Sequence, residues 1–169
     1  PVEWVAGVID RSADQARAAI GSRKTAYVLI ANTADECVIG GNRADIESIV
    51  ASLGCHWFAL DGVSTVHCEL AQPVREAYRE LHLFDTDAPP GVQFYSCALG
   101  HAYVPDRESA ANAIEAQALG TIDFPRVIRA AFDAGIRNFI EMGPGNSCTR
   151  MIGKILEGKP HFARSLSVV

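Results

Sequence analysis

The pattern of apolar and polar positions changes character near residue 61. Before it, short apolar runs alternate with segments of helical period. Trp4–Ile9 reads as a strand. Ser12-Ala-Asp-Gln15 has capping-box form, with Ser12 as N-cap and Gln15 three residues on. An alanine-rich run continues that helix to Ile20, and Gly21 ends it. Ala26–Ala31 is an apolar strand, residues 32–35 a turn, and 36–39 a second strand closed by Gly40-Gly41. Asn42 caps the next helix, where Ile46, Ile49, Val50 and Leu53 fall at i, i+3, i+4 and i+7. Gly54 stops it, and residues 56–60 form a fourth strand. The order βαββαβ predicts a ferredoxin-like small subdomain over residues 1–61.

Residues 62–169 are richer in helix. Val74, Ala77, Tyr78 and Leu81 make an amphipathic stripe after Pro73, a suitable first-turn proline. Residues 93–97 read as a strand, 101–108 as a loop and 109–119 as a helix. Phe124, Val127, Ile128, Ala131 and Phe132 form a second stripe ended by Gly135. A strand at 136–142 runs into the turn Gly143-Pro-Gly145. Cys148, Met151, Ile152, Ile155 and Leu156 then form a last helical stripe, and 162–168 a short strand. This strand–helix alternation belongs to an α/β layer with parallel strands.

Composition narrows the classes. The 169 residues, 49% hydrophobic and 21% charged, suit one compact domain or two small ones sharing a core. A net charge of −5 without any Lys/Arg run argues against a nucleic-acid or anionic-membrane partner. No apolar stretch approaches the roughly 18 residues a membrane span needs. The chain opens at Pro1, without methionine or signal segment, which is expected of a fragment of something longer. Its five cysteines are odd in number and form no C-x-x-C pair. Reduced, mostly buried thiols in a cytoplasmic protein are expected, with no disulfide framework and no metal site.

Three segments could carry chemistry. Gly143-Pro-Gly-Asn-Ser-Cys148 has the look of a phosphate-binding turn or of a nucleophile elbow around Ser147. It fits neither, because Cys148 and Thr149 stand where glycines are needed. A tight turn with Asn146 or Ser147 as N-cap is the simpler reading. In Val63-Ser-Thr-Val-His-Cys68, the histidine could be a base, a ligand or a satisfied core residue, and pattern alone favours the core. As sequence neighbours, His67 and Cys68 are expected to point apart rather than form a dyad. Ala116-Gln-Ala-Leu-Gly120, leading to Asp123-Phe-Pro125, by itself marks only one helix ending and another beginning.

Taken in order, three stretches resemble the landmarks of malonyl-CoA:acyl-carrier-protein acyltransferases and of polyketide-synthase acyltransferase domains. Asn32-Thr-Ala-Asp-Glu-Cys-Val-Ile-Gly-Gly41 is similar to that family's N-x-P-x-x-x-V-I-x-G strand pair. Val63-Ser-Thr-Val-His-Cys-Glu-Leu-Ala-Gln-Pro73 is similar to its S-H-C/S-x-L-M-x-P segment, and Phe139-Ile-Glu-Met-Gly-Pro-Gly145 to its E-V/I-G-P-G/H turn. The wording from Asp123 to Ile152 is nearer to the acyltransferase-like domains of polyunsaturated-fatty-acid and heterocyst-glycolipid synthases. The resemblance implies an α/β fold: a ferredoxin-like small subdomain, here 1–61, and the C-terminal portion of an α/β-hydrolase-like large one, here 62–169. It also implies ping-pong transfer of malonyl from coenzyme A, through a serine in a G-H-S-x-G elbow, to the phosphopantetheine thiol of an acyl carrier protein. No tightly bound cofactor is implied, and an adjacent ketosynthase domain or the remaining N-terminal segment would be a neighbour.

Carried over by position, His67 is the general base and the main-chain carbonyl of Gln117 orients it. Asn32 would line the cleft, and Val66, just before the histidine, stands where side-chain identity correlates with the acyl group chosen. Gly143 and Gly145 are structural. The departures are as informative. No G-x-S-x-G occurs, Ala71-Gln72 replaces the usual methionine segment, and Thr121 stands for a usual proline. The serine, the arginine that reads the malonyl carboxylate and the oxyanion-hole donors would precede Pro1, so the isolated chain is expected to be inactive. Two other classes compete: a non-catalytic scaffold that docks a carrier protein or neighbouring synthase domains, and a small ligand-binding module built on residues 1–61.

Overall fold

The computed structural model describes residues 3–63 and 65–166. The first four strands are β1 (Trp4–Ile9), β2 (Ala26–Ala31), β3 (Cys37–Asn42) and β4 (Trp57–Ala59), with α1 (Ala13–Ile20) after β1 and α2 (Arg43–Leu53) after β3. They pair antiparallel in the order β4-β1-β3-β2. One sheet face and both helices enclose Ile9, Ile20, Val28, Ile39, Ile46 and Ile49. The other face carries Ala6, Leu29 and Val38, with the Trp4 and Tyr27 rings stacked 6.2 Å apart.

The helix signals act as read. Ser12 and Gln15 exchange the two capping-box bonds, and Asn42 Oδ1 accepts from Ala44 N at 3.1 Å. The glycine pair behaves differently from expectation. Gly40-Gly41 does not close β3 but lies inside it, paired with both neighbours. A Cβ on Gly41 would fall on the Thr25 carbonyl oxygen, so here glycine admits a close strand crossing rather than a turn.

A fifth strand, β7 (Ile122–Asp123), joins this sheet from far along the chain, parallel to β2. The remaining elements are a 3-10 turn (Glu69–Val74), α3 (Arg75–Glu80), β5 (Phe94–Ser96), β6 (His101–Tyr103), α4 (Arg107–Leu119), α5 (Phe124–Asp133), β8 (Asn138–Met142), α6 (Ser147–Ile155) and β9 (Phe162–Leu166). Three expectations are corrected here. Residues 101–103 are not loop but pair with β5 as a hairpin. Asp106 caps α4 through Glu108 N and Ser109 N, starting the helix two residues earlier than the apolar pattern showed. Pro73 sits in the 3-10 turn rather than the first turn of α3, whose stripe residues Val74 and Leu81 face solvent.

β8 and β9 are parallel neighbours, and α5 and α6 bury Val127, Ile128, Phe132, Ile152 and Leu156 against one side of them. Residues 167 and 168 of the expected last strand lie outside the described residues. No described helix is long and apolar enough to cross a membrane. The fold is α/β, a ferredoxin-like sheet joined to part of a second, parallel α/β layer.

Candidate active site

His67 lies in the segment linking β4 to the 3-10 turn. It is the one described non-glycine residue with positive φ, at 62°. Such a backbone costs about 1–3 kcal/mol and persists only where its surroundings over-determine it. The C-terminal turn of α4 does so. His67 N–H donates to the Ala118 carbonyl at 2.7 Å, and His67 Nδ1 lies 2.6 Å from the Gln117 carbonyl oxygen. Those carbonyls are among the last of α4, left without an intrahelical partner and therefore free to accept.

The chemistry of that contact is one-sided. A carbonyl only accepts, so a neutral ring must carry its proton on Nδ1 and leave the Nε2 lone pair bare. A histidine so held is oriented as a proton acceptor without any carboxylate. His67 opens on a groove of about 420 Å³ that also involves Arg17, Arg23, Tyr27, Glu69 and Thr121. Thr121, where the resemblance expects proline, donates its hydroxyl to the Val28 carbonyl at 2.7 Å and so ties β2 beside the groove.

Cys68 turns the other way. Its thiol is buried against Ala6, Leu29 and Val38, so the adjacent pair straddles the backbone, one residue on α4 and the other on the sheet. Burial pushes the Cys68 thiol up from its ordinary value, away from nucleophile chemistry. Val66 borders a small cavity of about 90 Å³ with Val74, Tyr78 and Leu119. Ser64 of the same segment is outside the described residues.

Asn32 directly follows β2 and is not among the residues that line the histidine groove. There it is buried, donating its side-chain amide to Glu36 Oε1 at 3.0 Å. Arg150 on α6 grips the same carboxylate with two 2.8 Å bonds, and Lys154 reaches Asp35 at 3.2 Å. The Arg150 hydrogen bonds hold the Glu36 carboxyl below its ordinary range. Sequence reading missed this clamp, because nothing in the pattern joins residue 36 to residue 150.

The Gly143–Cys148 turn is also explained. Gly145 has φ of 84°, which favours glycine. Asn146 is the N-cap by position, but its side chain makes no capping bond. Glu141 on β8 caps instead, accepting from Cys148 N at 3.1 Å and from Thr149 N and Oγ1 at 2.8 and 2.7 Å. With a carboxylate already on those amides, the helix N-terminus has no room for a phosphate. Among the described residues no group of three His, Cys, Asp or Glu converges to hold a metal.

No family model and no curated protein matches the chain. Solved structures do. It superimposes on the acyltransferase domain from the second module of the salinomycin polyketide synthase, with TM-score 0.81 and 21% identity over 98% of this chain and 39% of that one. The malonyl CoA-acyl carrier protein transacylase from Clostridium perfringens gives 0.81 and 20% over 99% and 54%. An acyl carrier protein S-malonyltransferase from Vibrio cholerae gives 0.80 and 16% over 100% and 57%. The fold is thus that of part of an acyltransferase domain. The chain spans about two-fifths to three-fifths of the lengths of these structures.

Proposed function

We propose that this chain is the C-terminal part of an acyltransferase that moves malonyl, or a related acyl group, from coenzyme A to the phosphopantetheine thiol of an acyl carrier protein. The observation that carries this reading is the double tether of His67 to the Gln117 and Ala118 carbonyls. It leaves Nε2 as a bare base in a strained, fixed position, which is wasteful in a core histidine and useful in a catalytic one. His67 would take the proton of a serine as that serine attacks the acyl thioester and give it to the departing coenzyme A thiolate. It would then take the proton of the carrier thiol as that thiol attacks the acyl-enzyme and return it to the serine oxygen as the ester bond breaks. The serine and its oxyanion hole would come from polypeptide outside these 169 residues, and alone the chain would transfer nothing. Val66, just before His67 in the sequence, would sense a substituent on the acyl group. Asn32 would line the cleft in a supporting role.

The test is transfer from malonyl-CoA to carrier protein by the longest polypeptide encoded around this sequence. His67→Ala should lower it by roughly 10²–10⁴-fold. Unchanged transfer would remove His67 from the mechanism. A second reading, a non-catalytic scaffold for carrier protein or neighbouring synthase domains, is favoured by the absence of any Gly-x-Ser-x-Gly in the sequence. Finding no such elbow in the longer polypeptide, together with no transfer, would decide for it.

A further inference from the structure

Glu115 is a buried carboxylate that the proposed chemistry does not use. It is 4% exposed, on the turn of α4 just before Gln117 and Ala118. Buried carboxylates are rare unless something specific holds them. Here Arg75 Nε donates to Glu115 Oε1, and Arg79 Nε approaches Oε2 at 3.6 Å. Arg79 in turn bonds Asn112 Oδ1 at 2.7 Å and pairs with Glu108. Both arginines belong to α3, which follows His67 after only Cys68 and the 3-10 turn.

One helix therefore holds both ends of the segment that carries His67. The carbonyls at the end of α4 take the histidine, and its buried carboxylate takes Arg75. The 3-10 turn and α3 pack against α4, but a cavity of about 90 Å³ beside Val66 leaves that packing incomplete, with Arg75 and Glu115 among its walls. The walls of a void lose part of their dispersion attraction, and the ionic grip adds order there. The positive φ of His67 adds a standing tendency to spring away.

We infer that Glu115 is a positioning residue: through Arg75 it closes the 67–75 segment onto α4 and so keeps the His67 Nδ1–H on the Gln117 carbonyl. The inference rests on the assignment of His67 as the base, but its test needs no activity. Ring nitrogen shifts from two-bond proton–nitrogen correlation tell which nitrogen of a histidine carries the proton. They can be read on the chain as it stands, on the neutral form of the ring that the same nitrogen shifts identify. In wild type His67 should be the Nδ1–H form. Arg75→Ala and Glu115→Ala should both lose that signature for the mixed, solvent-like form. Ile49→Ala, which opens the first core far from α4, should lower stability and keep the signature. Retention of Nδ1–H in Arg75→Ala overturns the inference, and so does its loss in all three variants. Absence of the signature in wild type would instead undo the tether itself, and with it the assignment of the base.

Discussion

Ile39 in β3 and Ile140 in β8 are both central isoleucines of strands, yet the first is 0% exposed and the second 49%. β3 has a paired strand on each edge, two helices over one face, and Cys68 and Leu60 over the other. β8 is paired along β9 alone, with α5 and α6 on one face and nothing described on the other. On that bare face stand Ile140, Met142, Phe162 and Leu166, all exposed. Parallel strands are ordinarily covered on both sides, and a two-stranded sheet is marginal by itself. The comparison teaches that one region has closed its layers while the other leaves one face of its sheet uncovered by the described residues.

The sharpest way to break this comparison is to truncate both isoleucines. Ile39→Ala should cost about 2–5 kcal/mol, the range for a packed core site. Ile140→Ala should stay within about 0.5 kcal/mol, as at a surface site. Urea denaturation of the two variants would read the difference, and equal losses would mean the β8 face is covered after all. Next in size is association. The chain should self-associate through the β8–β9 face, and Met142→Lys with Phe162→Lys should return it to a monomer by light scattering without loss of stability. A monomeric wild-type chain would show that the exposed β8–β9 face does not drive association.

The smallest effect concerns the clamp joining the two regions. Glu36 has a folded pKa below its ordinary 4.5, so the stability it contributes is present above that value and disappears as pH falls through the depressed one. Because Arg150 is half exposed, the contribution should not exceed about 1 kcal/mol. Arg150→Ala should therefore flatten the stability profile on the acid side and leave it nearly parallel to wild type above neutrality. An unchanged acid limb would show that the clamp does not link the regions.

Much of the first region was legible. Ser12, Gln15 and Asn42 act through bonds to backbone two or three residues away, so local order predicts them. The glycine pair misled because Gly41 answers to Thr25 on another strand. β7 was invisible for a related reason: two residues carry no period, and only pairing with Ile30 and Ala31 makes them a strand. Glu115 did leave a trace. It falls with Ala111 and Ala118 at i, i+4 and i+7, a charge on the buried stripe of α4. Its partner on α3 left none.

The sequence by itself determined the α/β class, the capped helices and the segment in which His67 lies, since each depends on spacing along the chain. Only the tertiary structure supplied the hydrogen bonds around His67. Two orphan carbonyls at the end of α4 take its backbone and its ring, and that fixes which nitrogen is left free. Hydrogen bonds of this kind depend on where a distant helix stops, and spacing near the histidine does not record that.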